Sequence, residues 1–391
     1  MRLFHRRVTS SSGRVLRLTT IIVALLLAGS LGAWRISFSS NSSALLVKFP
    51  PVSTWPAPGL FGWSLATVPT GAKKAKPKAQ KAKAQSPRST TGLTWKSGVS
   101  YPDLDGYSNG QENATNAFGT WRGSPVGVAV VWPGSTSWSD FTQPNAFYDN
   151  WAEQPYTKVF GLPPFPSGIG DTITGCISGE YDDYWSAFAQ TMESTGLAAQ
   201  NTIIRLGWEL NEHTDWGTPA QFAACWQNIV STVNAIAPGL QWDWNVNRGS
   251  SGDMPGDSVL SAYPGDAYVN IIGVDAYDDW PPADTSGGWQ QQLNGPYGLN
   301  YWLSFAKQHG KKFSVPEWGL VADAEWGNES GYDDPGYIQD MYGFFVANSA
   351  DIAFESYYDS GDVGNSIYSP DQNSDGAAEY SMLWSRAATG T

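Results

Sequence analysis

The sequence is poor in the side chains that bind transition metals. It has two cysteines and three histidines in 391 residues. Neither Cys176 nor Cys225 has a histidine or a further cysteine near it at the spacing of a zinc site. We therefore expect neither a bound metal nor a cofactor. The acidic segment Glu325–Asp334 is open to two interpretations, a Ca²⁺ site or a plain surface loop.

Positive charge is scarce from residue 93 onward. Residues 93–391 hold 9 Lys+Arg against all 36 Asp+Glu, a formal charge of −27. A field of this sign repels the phosphates of nucleic acids, which excludes nucleic-acid binding as the main function of this region. Residues 1–92 are the opposite, because they contain 14 Lys+Arg and no Asp or Glu. The chain thus divides into a basic segment and a strongly acidic domain.

The basic segment has the pattern of an exported protein. Five arginines between Arg2 and Arg17 precede the apolar run Thr19–Trp34. This run has the length of a signal peptide and falls just short of the roughly 17–25 residues of a membrane span. We predict that residues 1–34 are a cleaved signal peptide or an uncleaved membrane anchor. The protein would then be secreted or anchored outside the cell.

The next segment, residues 35–92, is rich in Pro, Ser and Lys and is predicted to be a disordered linker. Its basic part, Lys73–Arg88, is either a solvated spacer or a contact to anionic wall polymers or lipid headgroups. In an exported protein two cysteines favour one disulfide, here between Cys176 and Cys225. Two unpaired buried thiols are the alternative.

The remaining residues, 93–391, form one domain of about 300 residues in which short apolar runs alternate with amphipathic segments. Eight such runs are typical of buried parallel strands, and a predicted helix follows each of the first seven. Eight units of this kind predict a (β/α)8 barrel. A doubly wound sheet is the alternative, but no glycine-rich phosphate loop accompanies the strands. The predicted strands are residues 97–100, 126–132, 157–163, 201–209, 240–247, 269–279, 311–320 and 351–359.

Acids and aromatic residues gather where these strands end, which is where a barrel of this kind has its active site. The chain also contains 20 Trp and 18 Tyr, whose ring faces can stack on the apolar faces of sugars. Enzymes that cleave glycosidic bonds place two carboxyl groups on either side of the bond, about 5–5.5 Å apart when configuration is retained. The pattern predicts a polysaccharide as partner and a glycoside hydrolase as function.

Two segments carry a specific resemblance. RLGWELN (205–211) on strand 4 and SVPEWGL (314–320) on strand 7 resemble the catalytic segments of glycoside hydrolase family 26. TWKSGVS, GTWRGSP and IIGVDAYD are also similar to its secreted bacterial members. The resemblance implies a retaining endo-β-glycanase with Glu209 as general acid/base and Glu317 as nucleophile. It implies β-1,4-mannan as substrate, with β-1,3/1,4-glucan or β-1,3-xylan as alternatives.

The identity of the acid/base stays open between two residues. On an extended strand Arg205, Gly207 and Glu209 share one face, so Glu209 points inward with Arg205. However, the dipeptide Asn211-Glu212 is the strand-4 signature of related families in which the Glu after Asn is the acid/base. Family 26 usually has Gly at the position of Glu212.

The predicted substrate-binding residues surround this pair. Arg205 and Asn211 would orient the glutamates, and by the resemblance Tyr277 would donate a hydrogen bond to Glu317. Aromatic rings are expected to serve as sugar platforms, and the candidates are Trp216, Trp280, Trp318 and Tyr357.

The sequence departs from the family at two positions of the sugar site. Trp208 stands where many members have His, and a tyrosine, Tyr357 or Tyr358, stands where many have Trp. A wall-attached carbohydrate-binding protein and a membrane-anchored scaffold are the non-enzymatic alternatives. We expect a monomer.

Overall fold

The structure is a computed structural model, and it describes residues 93–389 except 101–110, 144, 214, 251–252, 255, 323–328, 362–363 and 370. The signal peptide or anchor predicted for residues 1–34 and the linker predicted for residues 35–92 lie outside the described residues. So does part of the acidic segment Glu325–Asp334, for which a Ca²⁺ site was one interpretation.

Eight parallel strands form a closed barrel in which each strand pairs with the next and the last pairs with the first. This confirms the predicted (β/α)8 fold. Alternate residues of each strand point to opposite faces, so every strand contributes to two cores. The strands are β1 (Lys96–Ser100), β2 (Val128–Val131), β3 (Thr157–Leu162), β4 (Ile203–Leu206), β5 (Gln241–Asn247), β6 (Ile271–Tyr277), β7 (Lys312–Gly319) and β8 (Ile352–Tyr358).

Helices connect the strands around the outside. The helix predicted around Pro144 is divided in two, and Asn145 Oδ1 caps the second part by accepting from the backbone N of Phe147 and Tyr148 at 3.0 and 3.3 Å. No described helix has the length and apolarity that a membrane span requires. The helices are α1 (Gln111–Trp121), α2 (Trp138–Thr142), α3 (Ala146–Ala152), α4 (Ile173–Ser178), α5 (Asp182–Ser194), α6 (Pro219–Asn234), α7 (Gly288–Asn294), α8 (Leu299–Gln308), α9 (Pro335–Ala347) and α10 (Ser374–Thr389).

Short 3₁₀ turns complete the connections. One of them follows β4 and carries candidate site residues, while another, Gly256–Ala262, replaces the short helix predicted near residues 257–263. The sequence patterns did not predict α4, α7 or α10. The 3₁₀ turns are Ala198–Gln200, Leu210–Glu212, Gly256–Ala262 and Asp266–Tyr268.

The side chains inside the barrel change from apolar to polar along the barrel axis. Its lower part is filled by a small apolar cluster that includes Val128, Val159, Ile271 and Phe354. The larger apolar core lies between the strands and the helices. At the level where the strands end, the interior becomes polar and charged.

Strand β7 carries one extra residue between Val315 and Trp318. Three steps along β7 there match two steps along β8, from Glu355 to Tyr357, so this stretch is a bulge. Pro316 lies within it and has no N–H to give to a ladder. The bulge reverses the alternation of the strand, so that Val315 and Trp318 both belong to the outer core while Glu317 faces the barrel interior and contacts Arg205.

The predicted disulfide is present. Cys176 of α4 is bonded to Cys225 of α6, and 49 residues separate them in sequence. The disulfide links the loop region after β3 to the helix after β4. It therefore stabilises the side of the barrel that contains β4.

Replacing both cysteines with serine is expected to lower the free energy of unfolding by about 3–4 kcal/mol, because a loop of this length no longer restricts the unfolded chain. Urea unfolding of residues 93–391 measures this difference. Reduced, unsubstituted protein is the control and should unfold at the same urea concentration as the variant. An unchanged midpoint in both would contradict the prediction.

Candidate functional site

Arg205 lies at the centre of the polar end of the barrel. Its guanidinium donates hydrogen bonds to Glu317 Oε1, to Asp275 Oδ2 and, at 2.9 Å, to Asn245 Oδ1. The Arg205 and Asp275 side chains are fully buried and Glu317 is nearly so. Burial alone would lower the pKa of Arg205, but the charges of Asp275 and Glu317 raise it above its ordinary value. The guanidinium is thus a fixed positive charge beneath the acids.

Glu317 is held by two donors. Arg205 binds one carboxylate oxygen, and the Tyr277 hydroxyl donates to the other, Oε2, at 2.5 Å. Burial and the charge of Glu317 raise the pKa of Tyr277 well above its ordinary value, so Tyr277 remains a proton donor. The two hydrogen bonds fix the orientation of the Glu317 carboxyl group.

Glu209 does not lie on the regular part of β4. The strand ends at Leu206, Gly207 has φ 61° and Glu209 has φ 46°. The expectation that Glu209 shares a strand face with Arg205 is therefore wrong, because the chain turns before reaching it. Its position is fixed instead by its backbone N, which donates to Asn245 Oδ1 at 2.7 Å. Asn245 thus holds both Arg205 and the Glu209 backbone.

The two candidate acids after β4 have different surroundings. Glu209 is half-buried, whereas Glu212 is exposed at the rim. Burial and the neighbouring charge of Glu317 raise the pKa of Glu209 to about 8, against the opposing effect of Arg205. Glu212 contributes a smaller increase to the same pKa. Burial and the electrostatic field of Glu317 therefore both favour the protonated form of Glu209.

Asn211 anchors the turn that carries Glu209. Its side-chain oxygen accepts from the backbone N of Asn247 at 2.7 Å, and its amide donates to the Asn247 carbonyl at 3.0 Å. This pair of bonds joins the ends of β4 and β5. The structure thus places Asn211 behind the glutamates, where it sets the backbone position.

Three aromatic side chains flank the charged centre. Trp132 lies at the end of β2, with its ring 5.8 Å from the guanidinium carbon of Arg205. Trp208 and Tyr358 each meet Trp132 edge-on with ring centres 6.3 Å apart. Tyr358 also meets the ring of Tyr277 at 5.9 Å. Trp208 and Tyr358 are half-buried and so present part of their rings to the cleft.

Gly161 of β3 makes room for this wall. A Cβ built there would lie 2.2 Å from Trp132 Nε1. The absence of a side chain at this position therefore determines where Trp132 can lie.

Three predicted sugar platforms have no ring face available. Trp318 and Tyr357 are fully buried in the outer core and pack against each other with ring centres 5.0 Å apart. Trp216 is stacked between His213, at 3.8 Å, and Phe222, at 5.9 Å. These side chains support the site from behind. Trp318 and Tyr357 point outward because of the β7 bulge and the alternation of β8, so the strand-8 tyrosine at the cleft is Tyr358.

Sequence reasoning did not select Asn245, Asp275 or Trp132 as site residues. Asp275 lies two residues before Tyr277 on β6, and the period of a strand puts both on one face. The same period places Asn245 inward with Asp243 on β5, where Asp243 accepts a hydrogen bond from Ser314 Oγ at 2.9 Å. The two-residue period of side-chain direction along a strand could therefore have identified Asn245 and Asp275 from the sequence.

Comparisons with known proteins agree with this geometry at the level of the fold. No protein-family model and no curated protein matches the chain. Among solved structures, an endo-β-1,4-mannanase double mutant from Cellulomonas fimi is similar with a TM-score of 0.53 and 15% identity, over 73% of this chain and 70% of that chain.

A second similar structure is the catalytic domain of the family 26 endo-β-1,4-mannanase of Bacillus sp. JAMB-750. It has a TM-score of 0.52 and 13% identity, over 77% of this chain and 90% of that chain. An engineered protein is similar to the same degree, with a TM-score of 0.52 and 14% identity over 75% of this chain and 71% of that chain. At these identities the likeness establishes the shared barrel.

The raised pKa of Glu209 predicts a basic limit to activity. A general acid is active below its pKa and inactive above it, so with Glu209 in the general-acid role that the sequence predicts, turnover should fall as pH rises through about 8. Glu212→Gln removes a negative charge that raises this pKa and should move the basic limb to lower pH.

The pH dependence of kcat/KM measures both effects. Glu193→Gln, an exposed acid near the end of α5, is the charge-matched control and should leave the profile in place. A basic limb that does not move in Glu212→Gln would contradict the electrostatic link between these two acids.

Proposed function

We propose that the chain is a glycoside hydrolase that cleaves a β-linked polysaccharide within the polymer and retains the anomeric configuration. One observation carries this proposal. Two carboxyl groups lie at the ends of β4 and β7 in different surroundings: burial and the charge of Glu317 raise the pKa of Glu209 to about 8, whereas Glu317 accepts hydrogen bonds from Arg205 and Tyr277. A general acid and a nucleophile with these properties are what a double displacement needs.

The proposed reaction has two steps. In the first, an oxygen of Glu317 forms a bond to the anomeric carbon while the glycosidic C–O bond breaks, and the Glu209 proton passes to the leaving oxygen. In the second, Glu209 takes a proton from water, and the water oxygen replaces Glu317 on the anomeric carbon. Tyr277 and Arg205 keep the carboxylate of Glu317 oriented throughout.

β-1,4-Mannan is the proposed first substrate. The support is the resemblance of the two catalytic segments and the mannanases among the structures of similar fold. Trp208 and Tyr358 line the cleft at the two positions where the sequence departs from the family. For that reason β-1,3/1,4-glucan and β-1,3-xylan are included as second candidates.

Hydrolysis of a panel of soluble polysaccharides tests the proposal. Residues 93–391 would be incubated with galactomannan, glucomannan, lichenan, barley glucan and β-1,3-xylan. Release of reducing ends identifies the substrate, and NMR of the first product should show the β anomer. No release from any polymer, combined with binding to one of them, would replace the enzyme with a carbohydrate-binding protein.

The cellular setting is also a proposal. We propose that residues 1–34 direct export or anchor the chain, that residues 35–92 act as a tether and that the protein is a monomer. Sequencing the N-terminus of the exported chain would separate a cleaved signal from an anchor.

A further inference from the structure

Glu355 of β8 is a buried acid that the proposed reaction does not use. It is fully buried, and it lies two residues before Tyr357, which belongs to the outer core. Side chains two residues apart on a strand point to the same face. Glu355 therefore lies in the apolar layer between the strands and the helices, and not in the polar cleft.

Three tryptophans bind this carboxylate. Trp318 Nε1 donates to Glu355 Oε2 at 2.7 Å, and the Nε1 atoms of Trp384 and Trp95 donate to Oε1 at 3.1 and 3.3 Å. All three rings belong to the outer core. An indole has one N–H and no acceptor, whereas an ionised carboxylate only accepts and can take several such bonds. One acid thus links the start of β1, strand β7 and helix α10.

The position of Glu355 is costly for an acid. Burial raises the pKa of Glu355. Hydrogen bonds from Ser97 and Trp318 and the charge of Arg122 oppose this increase without cancelling it. Arg122 is itself fully buried and donates to Ser97 Oγ at 2.9 Å. Removing an acid and a cation from water costs free energy that an apolar pair would not lose, so we expect the bonds of Glu355 to fix geometry more than they add stability.

The bond to Trp318 acts at an irregular part of β7. In the pairing with β6 the register passes from Ser314 to Trp318, and in the pairing with β8 it passes from Val315 to Trp318. Pro316 and Glu317 are therefore in register with neither neighbouring strand. The position of the Glu317 backbone depends on how the two ends of this stretch are held.

Glu355 contacts both ends of the stretch. Its backbone lies opposite Val315 in the β7–β8 register, and its carboxylate binds the indole of Trp318. Trp318 follows Glu317 directly, with its side chain in the outer core while that of Glu317 reaches Arg205 inside the barrel. A shift of the Trp318 ring would therefore move the neighbouring carboxyl group in the cleft.

We propose that Glu355 is a positioning residue for the cleavage reaction, because by holding Trp318 it sets the direction from which Glu317 meets the sugar. This rests on the proposed function, in which Glu317 is the reacting group. A misplacement of about 1 Å can lower a rate by about 10²-fold. The loss should appear in kcat and not in KM, because Glu355 and Trp318 lie outside the cleft and do not touch the sugar.

Two matched substitutions separate this role from general packing. Trp318→Phe and Trp384→Phe each remove one indole N–H from Glu355 and keep an aromatic ring, but only Trp318 lies on β7. Both should lower the thermal midpoint of the full chain. Trp318→Phe should also lower kcat by at least about tenfold at an unchanged KM, whereas Trp384→Phe should keep both constants of the parent. Reducing-end release from galactomannan, or from the panel polymer that the parent cleaves best, gives these constants well below either midpoint.

Glu355→Gln provides the second measurement. An amide cannot accept from all three indoles, so kcat should fall as in Trp318→Phe. Combining the two substitutions should lower kcat no further than the more harmful one alone, because both break the same contact. Should Glu355→Gln fail to fold, the two phenylalanine variants decide.

The outcomes distinguish this inference from the proposed function. Unchanged kcat in Trp318→Phe, equal losses in the two phenylalanine variants or losses that multiply in the double variant would overturn the positioning role and leave the hydrolase intact. A parent that releases nothing from any polymer of the panel would overturn the hydrolase, and the role of Glu355 with it.

Discussion

Replacing Glu317 with alanine is expected to lower polysaccharide hydrolysis by at least about 10⁴-fold, the scale found when a catalytic nucleophile is removed. The loss has a simple cause, since no covalent intermediate can form without the carboxylate that Arg205 and Tyr277 hold in place. The folded state should survive, because removing the acid relieves the crowding of Glu317, Asp275 and Glu209 around one guanidinium. Reducing-end release, together with the thermal midpoint, measures both expectations.

The pair of acids after β4 provides the matched comparison. Glu209→Ala should also remove most activity on polymers, because a polysaccharide leaving group needs a proton. Glu212→Ala should keep most of it, since Glu212 is exposed and raises the pKa of Glu209 less than burial and Glu317 do. If Glu212→Ala were the inactive variant and Glu209→Ala the active one, the assignment of the acid/base would be reversed.

Replacing Arg205 with methionine is expected to be the most destabilising substitution in the site. Methionine retains much of the apolar volume but leaves the buried carboxyl groups of Asp275 and Glu317 without their cation. Breaking a buried ion pair from one side costs about 3–5 kcal/mol of unfolding free energy. Activity should be lost as well, because Glu317 loses one of its two donors.

An exposed ion pair gives the control for this prediction. Lys307 and Asp351 are 2.8 Å apart and roughly half exposed. Lys307→Met should change the unfolding free energy by no more than about 1 kcal/mol. Urea unfolding of the two variants measures the contrast, and equal effects would mean that burial does not determine the role of Arg205.

The sequence alone predicted the eight-stranded barrel and the end of the barrel at which the acidic side chains cluster. Buried parallel strands leave a pattern that is local and repeated, because each strand must be apolar on both faces. Eight repeats of that pattern allow few other topologies. The motifs that contain Glu209 and Glu317 were visible for the same reason, since each lies within a few residues of a strand end. The disulfide was predicted from the number of cysteines and from the expected export of the protein.

The tertiary structure decided which side chains actually meet. The bulge in β7 moved Trp318 from a predicted sugar contact to the outer core and turned Glu317 inward, and the alternation of β8 placed Tyr357 in the outer core as well. The chain turns at Gly207, and the position of Glu209 is set by the hydrogen bond that its backbone N donates to Asn245 Oδ1, not by the alternation of a strand. Both are single-residue changes of backbone direction, and a period-2 pattern contains no information about where such a change occurs.

The arrangement of charges was likewise beyond the sequence. Arg205, Asp275 and Glu317 are up to 112 positions apart and come from three strands. Only closure of the barrel brings them together and removes them from water. The raised pKa of Glu209 is a consequence of that closure, because desolvation and the field of a second carboxylate exist only in the folded chain. Composition and spacing pointed to the two candidate glutamates, and the enclosed geometry determined their electrostatic surroundings.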